Sequence, residues 1–487
     1  MISKRFIKSS LIYTLSGALP MASALILLPF YIVYLDPGEY GALSVCLAFS
    51  ALVQIIATYS FDTSLYIHYH ELKHDRDRLA SFISSSFVFL VGLALVATAV
   101  LSVSGHMLFR LIPNSDTISF YPYGLVSVGV GIGQAIFKVH GNLLQIREKA
   151  ETFLWSNVVC FIIIAATSVA GLKFFPHTLL GPLGGRLLAG GVMVVWVLWR
   201  VFREYGIHIK SPWRMTSASF NAYTFVYQLM QWGINSLDRI LILFLMPLPA
   251  VAALALVGIY DFAVKCLVPV DLLLNGLNAS INPQVIKLMN RDNIKGSTVE
   301  INRYYYGLVS VILLAICVTI LVVPFAMDLF VHKTGYVQAL QYIPYVGVLY
   351  VFKAMRVYFV VPFNVLKKMR RITMLSFMIN LVKIGCMVLL IPRWQLYGVI
   401  ASSFIAFAIE IALLWYYLRP HYRVAFNGFK LMAGPLLVVL MILIAEPLLG
   451  VQLPLVAHVL YGVITVGLLW LAYRNELKTL DPLKFLR

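Results

Sequence analysis

The sequence predicts an all-α polytopic membrane protein of about fourteen transmembrane helices, with no soluble domain of appreciable size. Three observations carry this. Hydrophobic residues make up 61% of the 487 and charged residues only 12%, against roughly a quarter charged in an ordinary soluble protein. Apolar runs of about 20 residues, enough to cross a bilayer, recur along the whole chain. The basic residues gather in the short segments between alternate runs, which is the pattern that orients a chain in a membrane.

In order, the first six spans are expected at roughly 9–34, 41–66, 79–103, 119–141, 152–172 and 178–200. The next six fall at roughly 218–246, 251–277, 303–326, 337–363, 372–391 and 395–417. A final pair, roughly 431–447 and 454–472, is interrupted by Pro435, Pro447 and Pro454. The run Leu11–Tyr34 follows Lys4, Arg5 and Lys8 and shows no small-residue cleavage pattern, so it reads as a retained helix rather than a signal peptide.

With the N-terminus inside, the cytoplasmic segments carry Lys4, Arg5 and Lys8, then Lys73, Arg76 and Arg78, and continue so down to Arg474, Lys478, Lys484 and Arg487. The outside segments hold only Arg110, Lys173, Lys333 and Arg393. An even span count and cytoplasmic ends follow. The net charge of +18 is therefore a topology signal and a contact with membrane lipids, not the footprint of a nucleic acid.

Several chemistries find no support. Cys46, Cys160, Cys266, Cys317 and Cys386 each lie in an apolar run at spacings that suit neither a metal nor a disulfide framework. There is no Gly-rich phosphate loop ending in Lys-Ser or Lys-Thr, no hydrolytic constellation, and no pattern calling for a cofactor. The sequon at Asn278 falls at the inner end of a span, out of reach of glycosylation.

Charges inside spans cost roughly 2.5–3.5 kcal/mol each on insertion scales, so each needs a reason. Six cations qualify as candidate substrate contacts: Arg186, Arg239, Lys265, Lys353, Arg356 and Lys383. Three acids, Asp238, Asp261 and Glu410, qualify as ion-coupling or ion-pair candidates. Asp261 and Lys265 lie four apart on one helix face, about 15 and 21 Å from the outer end of span 8, and can neutralise each other. Lys353 and Arg356 share a face of span 10, with Lys383 on span 11 and Glu410 on span 12 as the evident acidic partner for one of them, leaving a cationic surplus on the inner half. Asp238 and Arg239 point about 100° apart and are expected to find different partners. Asp62, near the inner end of span 2, reads as a cap or a water-facing group, and Asp271 is a further acid within span 8. Arg186 stands among Gly181, Gly184, Gly185, Gly190 and Gly191, whose small size allows close helix approach and directs Arg186 inward.

Spans 1–2 and 7–8 form a weak internal repeat. Leu35, Asp36 and Pro37 lead to Glu39, Tyr40 and Gly41 in the first, and Leu245, Met246 and Pro247 lead to Val257, Gly258, Ile259 and Tyr260 in the second. These segments, with Leu27 to Tyr31, Ser236 to Arg239, and Asp62 to Leu65 running on to Tyr69, His70 and Glu71, resemble polysaccharide flippases (Wzx-like) of the multidrug/oligosaccharidyl-lipid/polysaccharide exporter superfamily. The resemblance covers nearly the whole chain. It implies two six-helix lobes around a central cavity, here 1–216 and 217–429, plus a C-terminal helix pair and cytoplasmic tail at 430–487. It further implies a non-enzymatic flippase in a bacterial cytoplasmic membrane. The cargo would be oligosaccharide linked to polyprenyl pyrophosphate, moved to the outer leaflet by alternating access for surface polysaccharide synthesis, with other assembly proteins as potential partners. Cations suit such an anionic cargo. The alternatives are a cation-coupled drug exporter of the same superfamily, which would favour an acidic cavity, and a membrane polysaccharide polymerase or assembly scaffold.

Overall fold

The computed structural model describes residues 19, 23–72, 74–110, 118–209, 218–291, 299–330, 334–366, 369–420, 422, 426–438, 463, 466–467 and 469–475. Among them every regular element is a helix. The start of span 1 and most of the last span pair lie outside the described residues.

The helices are α1 (Ser23–Tyr34), α2 (Pro37–Thr58), α3 (Phe61–Leu72), α4 (Arg76–Arg110), α5 (Leu125–Ile146), α6 (Ala150–Phe174) and α7 (Leu180–Tyr205). They continue as α8 (Ala218–Leu245), α9 (Ala250–Cys266), α10 (Val268–Arg291), α11 (Val299–Phe330), α12 (Ile343–Val365), α13 (Met369–Leu418) and α14 (Phe429–Val438). Among the described residues eight helices are long and apolar enough to cross a membrane, or nine if the bent pair α9–α10 is one span. Only 22% of the apolar window of α6, and 28% of those of α4 and α7, is buried. Apolar side chains such as Leu95, Val103, Trp155 and Val195 stand exposed along them. Such broad apolar exposure is the surface of a multi-pass membrane protein.

Four expected spans, 2, 7, 11 and 12, differ in detail. Span 2 is not continuous. Asp36 caps α2 in a capping box with Glu39, with Pro37 in the first turn. The helix then stops where Tyr59 and Ser60 take positive φ (41° and 60°), and α3 begins at Phe61. The left-handed region costs a non-glycine residue about 1–2 kcal/mol. Fully buried neighbours such as Phe61 and Leu65 hold the break in place. Helix α8 has 28 residues and so about 42 Å of length, but it is not among the spans apolar enough to qualify. Gln228, Gln231, Asn235, Asp238 and Arg239 along it are the reason. Spans 11 and 12 are the two arms of α13, broken at Gln395 (φ 49°, ψ −127°) behind Pro392. A Cβ on Gly398 would lie 2.5 Å from the carbonyl oxygen of Leu390, a residue about 12 Å away along a straight helix. The chain therefore doubles back between the two arms.

The chain divides into two compact units, Met1–Asp261 and Phe262–Arg487. In the first, α5 packs against α2 and α7, and α6 against α7. Gly133 and Gly190 bring α5 and α7 into backbone contact: a Cβ on Gly133 would lie 2.9 Å from the Gly190 Cα. Ends expected on the same side of the membrane meet. Arg147 pairs with Glu204, Ser84 donates to the Gly206 carbonyl at 2.6 Å, and His177 lies 3.3 Å from Glu39. In the second unit α12 packs on α11 and α13, and α10 on α11 and α12. All five cysteines are free.

Candidate functional site

Asp238, Arg239 and Asp261 meet where α8 and α9 form a hairpin against α2. The fit begins with two glycines. A Cβ on Gly41 would lie 1.9 Å from the Leu254 carbonyl oxygen, and one on Gly258 would lie 2.0 Å from that of Pro37. The backbones of α2 and α9 therefore touch, as small residues permit in membrane helices. That contact delivers Tyr40 and Ser44, one turn apart on α2, to Asp261. The Tyr40 hydroxyl donates to Asp261 Oδ2 at 3.0 Å and the Ser44 hydroxyl at 2.5 Å. Arg239 of α8 donates to Asp261 Oδ1 through Nε at 3.2 Å and Nη2 at 2.8 Å.

Asp238 completes the hub. Arg239 Nη1 donates to Asp238 Oδ1 at 2.7 Å and also to the Asn235 carbonyl, while the Tyr260 hydroxyl donates to Asp238 Oδ2 at 2.8 Å. The expectation that adjacent Asp238 and Arg239 go to different partners is corrected here. The long arginine side chain folds back, and its planar fork serves both carboxylates at once. Both acids are 3% exposed. Apart from the Arg239 contact to the Asn235 carbonyl, each of these contacts presents an N–H or O–H to a carboxylate oxygen. A metal cation entering the hub in this state would have to displace the guanidinium.

A second polar junction lies further along α8, toward the end expected to be cytoplasmic. Asp62 is 4% exposed, pairs with Lys138 of α5 at 2.8 Å and accepts from the Gln228 amide at 3.1 and 3.3 Å. It is neither a plain cap nor a water-facing group: burial in this junction requires the ion pair. Between the two junctions, Trp232 Nε1 donates to the Ala48 carbonyl at 2.9 Å. Near the break in span 2, the ring of Phe225 lies 5.1 Å from that of Tyr59.

Arg186 on α7 differs from both. Its Nη2 reaches the Tyr31 hydroxyl of α1 at 3.4 Å. Its Nε is buried without a hydrogen-bond partner, and no carboxylate lies within ion-pair distance among the described residues.

In the second unit, Arg356 Nε donates to Glu410 Oε1 at 2.7 Å, and Lys353 sits 3.8 Å from Asp271 and 4.3 Å from the centroid of the Tyr350 ring. Two of the cations counted toward an inner-half surplus thus have carboxylate partners. The pairs are less enclosed than the hub, with Lys353 28% and Arg356 24% exposed, although Glu410 itself is buried. Glu410 Oε2 has no hydrogen-bond partner. Lys383 is buried on the first arm of α13, and Lys265 is half-buried in the last turn of α9.

Sequence reasoning passed over Tyr40, Ser44, Gln228, Trp232 and Lys138 as site residues. Tyr40 and Tyr260 carry one local signal, as members of the family-like segments at 35–41 and 245–260. The rest meet their partners across 76–217 positions of sequence. Among the described residues, Asp36, Glu39 and His177 alone have their ligand atoms within 4.8 Å of one another in a group able to hold a metal. Glu39 is already engaged there, capping α2 and meeting His177.

The same architecture occurs in solved structures. The lipid II flippase MurJ in an inward closed conformation superposes with a TM-score of 0.73 at 13% identity, over 96% of this chain and 99% of that one. An inward-facing multidrug resistance MATE family transporter of the MOP superfamily gives 0.63 at 12% identity, covering 83% and 95%. A MOP superfamily transporter from Pyrococcus furiosus, described as having a binding pocket of reverse polarity, gives 0.56 at 11% identity, covering 85% and 96%. At these identities the likeness is one of fold. No curated protein matches in sequence. Residues 6–283, more than half of the chain, match the family described as polysaccharide biosynthesis protein, and the chain, a multi-pass helical membrane protein with the MurJ and MATE fold, belongs to that family.

Proposed function

We propose that the protein is a flippase that carries oligosaccharide linked to polyprenyl pyrophosphate from the inner to the outer leaflet of a bacterial cytoplasmic membrane. The mechanism is alternating access of two lobes, 1–216 and 217–429, with 430–487 as an appended helix pair and tail. Family membership and the MurJ-like fold support a transporter of this kind.

The observation that carries the choice of cargo is Arg186. A guanidinium within a span, with a buried donor unsatisfied and no carboxylate beside it among the described residues, is costly unless an acceptor arrives. A pyrophosphate supplies that acceptor and a concentrated negative charge, whereas a cationic drug would be repelled. The acids that would favour a drug cation, Asp238 and Asp261, are already saturated by donors. Lys353 and Arg356 contribute to holding an anion when their pairs with Asp271 and Glu410 open.

Gating follows from the seam between α8 and the α2–α3 helices. Gln228 and Arg239 are about 16 Å apart along α8, so the Asp62 and Asp261 junctions close the seam at two depths. Alternating access then opens one junction while the other stays shut. This assigns the Asp261 hub to the outer closure and the Asp62–Lys138–Gln228 junction to the inner one.

Depletion of the protein tests the cargo. Polyprenyl-pyrophosphate sugars accumulating in the inner leaflet, with surface polysaccharide lost, is the expected result; unchanged lipid pools and intact surface sugar would refute it. Within that assay Arg186→Gln is expected to lower flipping roughly tenfold or more, from loss of a charged hydrogen bond of about 1.5–3 kcal/mol. Membrane abundance is expected to stay unchanged, with Arg186→Lys retaining part of the activity.

A further inference from the structure

The ends of α5 and α7 and the start of α6 gather Arg147, Lys149 and Arg200 about the Glu204 carboxylate, with Arg203 beside Glu204 in the chain. Arg147 Nη2 donates to Glu204 Oε1, and Lys149 Nζ lies 4.0 Å from the same oxygen. Arg200 and Arg203 have no carboxylate within ion-pair distance among the described residues. Instead Arg200 lies 5.5 Å over the Trp196 ring and Arg203 5.2 Å over the Trp199 ring, as Arg147 lies 5.5 Å over Tyr205. Ring stacking orients a guanidinium while leaving its N–H edge free to donate. The cluster is therefore an ordered set of donors in which Arg147 and Lys149 share the one Glu204 oxygen, while Arg200 and Arg203 keep their N–H edges for another acceptor.

Its electrostatics agree. Burial, together with the neighbouring Arg147 guanidinium, holds Lys149 below the usual lysine range despite Glu204 nearby. Burial and the Arg147 guanidinium both disfavour the Lys149 charge, and an anion at this place would offset both. The surroundings indicate which anion. Trp199 is 58% exposed, and Val192 and Val195 one to two turns before it on α7 are exposed as well. A tryptophan at that position marks the boundary between acyl chains and headgroups. A soluble phosphate would have no use for the apolar strip, whereas a phospholipid would lay its chains along it.

We propose that Arg147, Lys149, Arg200 and Arg203 form a binding site for the phosphate of an anionic phospholipid headgroup. The site rests on the multi-pass reading of α5–α7 and its cytoplasmic-facing ends, and is independent of the cargo.

The test is retention of phosphatidylglycerol against phosphatidylcholine by the purified full-length protein, counted by native mass spectrometry through a lipid titration. The wild type is expected to prefer phosphatidylglycerol. Lys149→Gln and Arg203→Gln are each expected to lower that preference about fivefold, the value of one cation at a membrane surface. Glu204→Gln, which removes the competing carboxylate, is expected to raise it. Equal retention of both lipids by the wild type would overturn the proposal. So would a Glu204→Gln variant that loses preference as the lysine variant does, since the cluster would then be structural. Displacement of phosphatidylglycerol by submillimolar sodium pyrophosphate would also overturn it, by making the occupant a soluble anion. Lipid retention needs no transport, so a failed flippase assay leaves this site standing, and the reverse holds equally.

Discussion

In the unit Met1–Asp261, Asp238, Arg239 and Asp261 share one enclosed network in which donors from α2, α8 and α9 serve both carboxylates. In the unit Phe262–Arg487, Arg356 and Lys353 each face a carboxylate of their own, and both remain about a quarter exposed. The difference shows two ways of keeping charge inside a membrane protein. A shared, closed network holds an arrangement of three helices more firmly, because a member that leaves strands another. A one-to-one pair at a partly open place is held less tightly and can exchange its partner for an anion.

That contrast can be broken most directly at Arg239. Arg239→Gln strands two buried carboxylates, and removing one partner of a buried pair costs about 3–5 kcal/mol. Loss of most folded protein from the membrane, or a large drop in Tm in detergent, is the expected result. Near-normal stability would mean that the hub is not closed in the membrane. Arg239→Lys should rescue poorly, since an ammonium cannot serve two carboxylates through a planar fork.

Gly258→Leu probes the backbone contact beneath the hub. A Cβ at Gly258 would already lie 2.0 Å from the Pro37 carbonyl oxygen, so α2 and α9 must separate, at a cost of about 1–3 kcal/mol or more. A cysteine cross-link between positions on α2 and α9 should form efficiently in the parent and fail in the variant.

Arg356→Gln is expected to have a smaller effect, about 1–3 kcal/mol, the cost of leaving a buried acceptor at Glu410 unsatisfied. The double variant Arg356→Gln/Glu410→Gln should recover much of that stability, because the buried charge is gone. If transport fails in the double variant while Tm recovers, Arg356 acts on the cargo; if both recover, the pair is structural.

The smallest effect is expected at Lys353→Gln. The pair with Asp271 is 3.8 Å long and partly exposed, which places it near the 0–1 kcal/mol of surface pairs. A thermal melt should barely move, so any loss of flipping would be a direct effect on cargo.

How much of this could be read beforehand depends on the distance over which each feature is determined. The break at Tyr59–Ser60 was not legible, because neither residue is a glycine or a proline, and only surrounding burial makes the left-handed turn tolerable. The helix reversal near Gln395 was legible, because Pro392 and the lapse in hydropathy are local. Glu410 stood out as an acid needing a cation. Asp62 was legible as a charge near a span end but not as half of a buried ion pair, since its partner Lys138 reads as one more basic residue at a span end.

What the sequence determined by itself is what a bilayer demands of any stretch of chain. Apolar length, helix, the alternation of basic loops and the family signature from Leu27 to Tyr260 are local properties, set by solvation of the backbone and of charge. The tertiary structure alone decided which buried charge answers which. Asp261 is four residues from Lys265, yet the partners that saturate its oxygens on α2 come from 217 and 221 positions away, delivered by the contact of Gly41 with Gly258. The physical reason is that Coulomb and hydrogen-bond energies in a low-dielectric interior fall off over a few ångströms. Packing, not spacing along the chain, sets which groups lie within that reach.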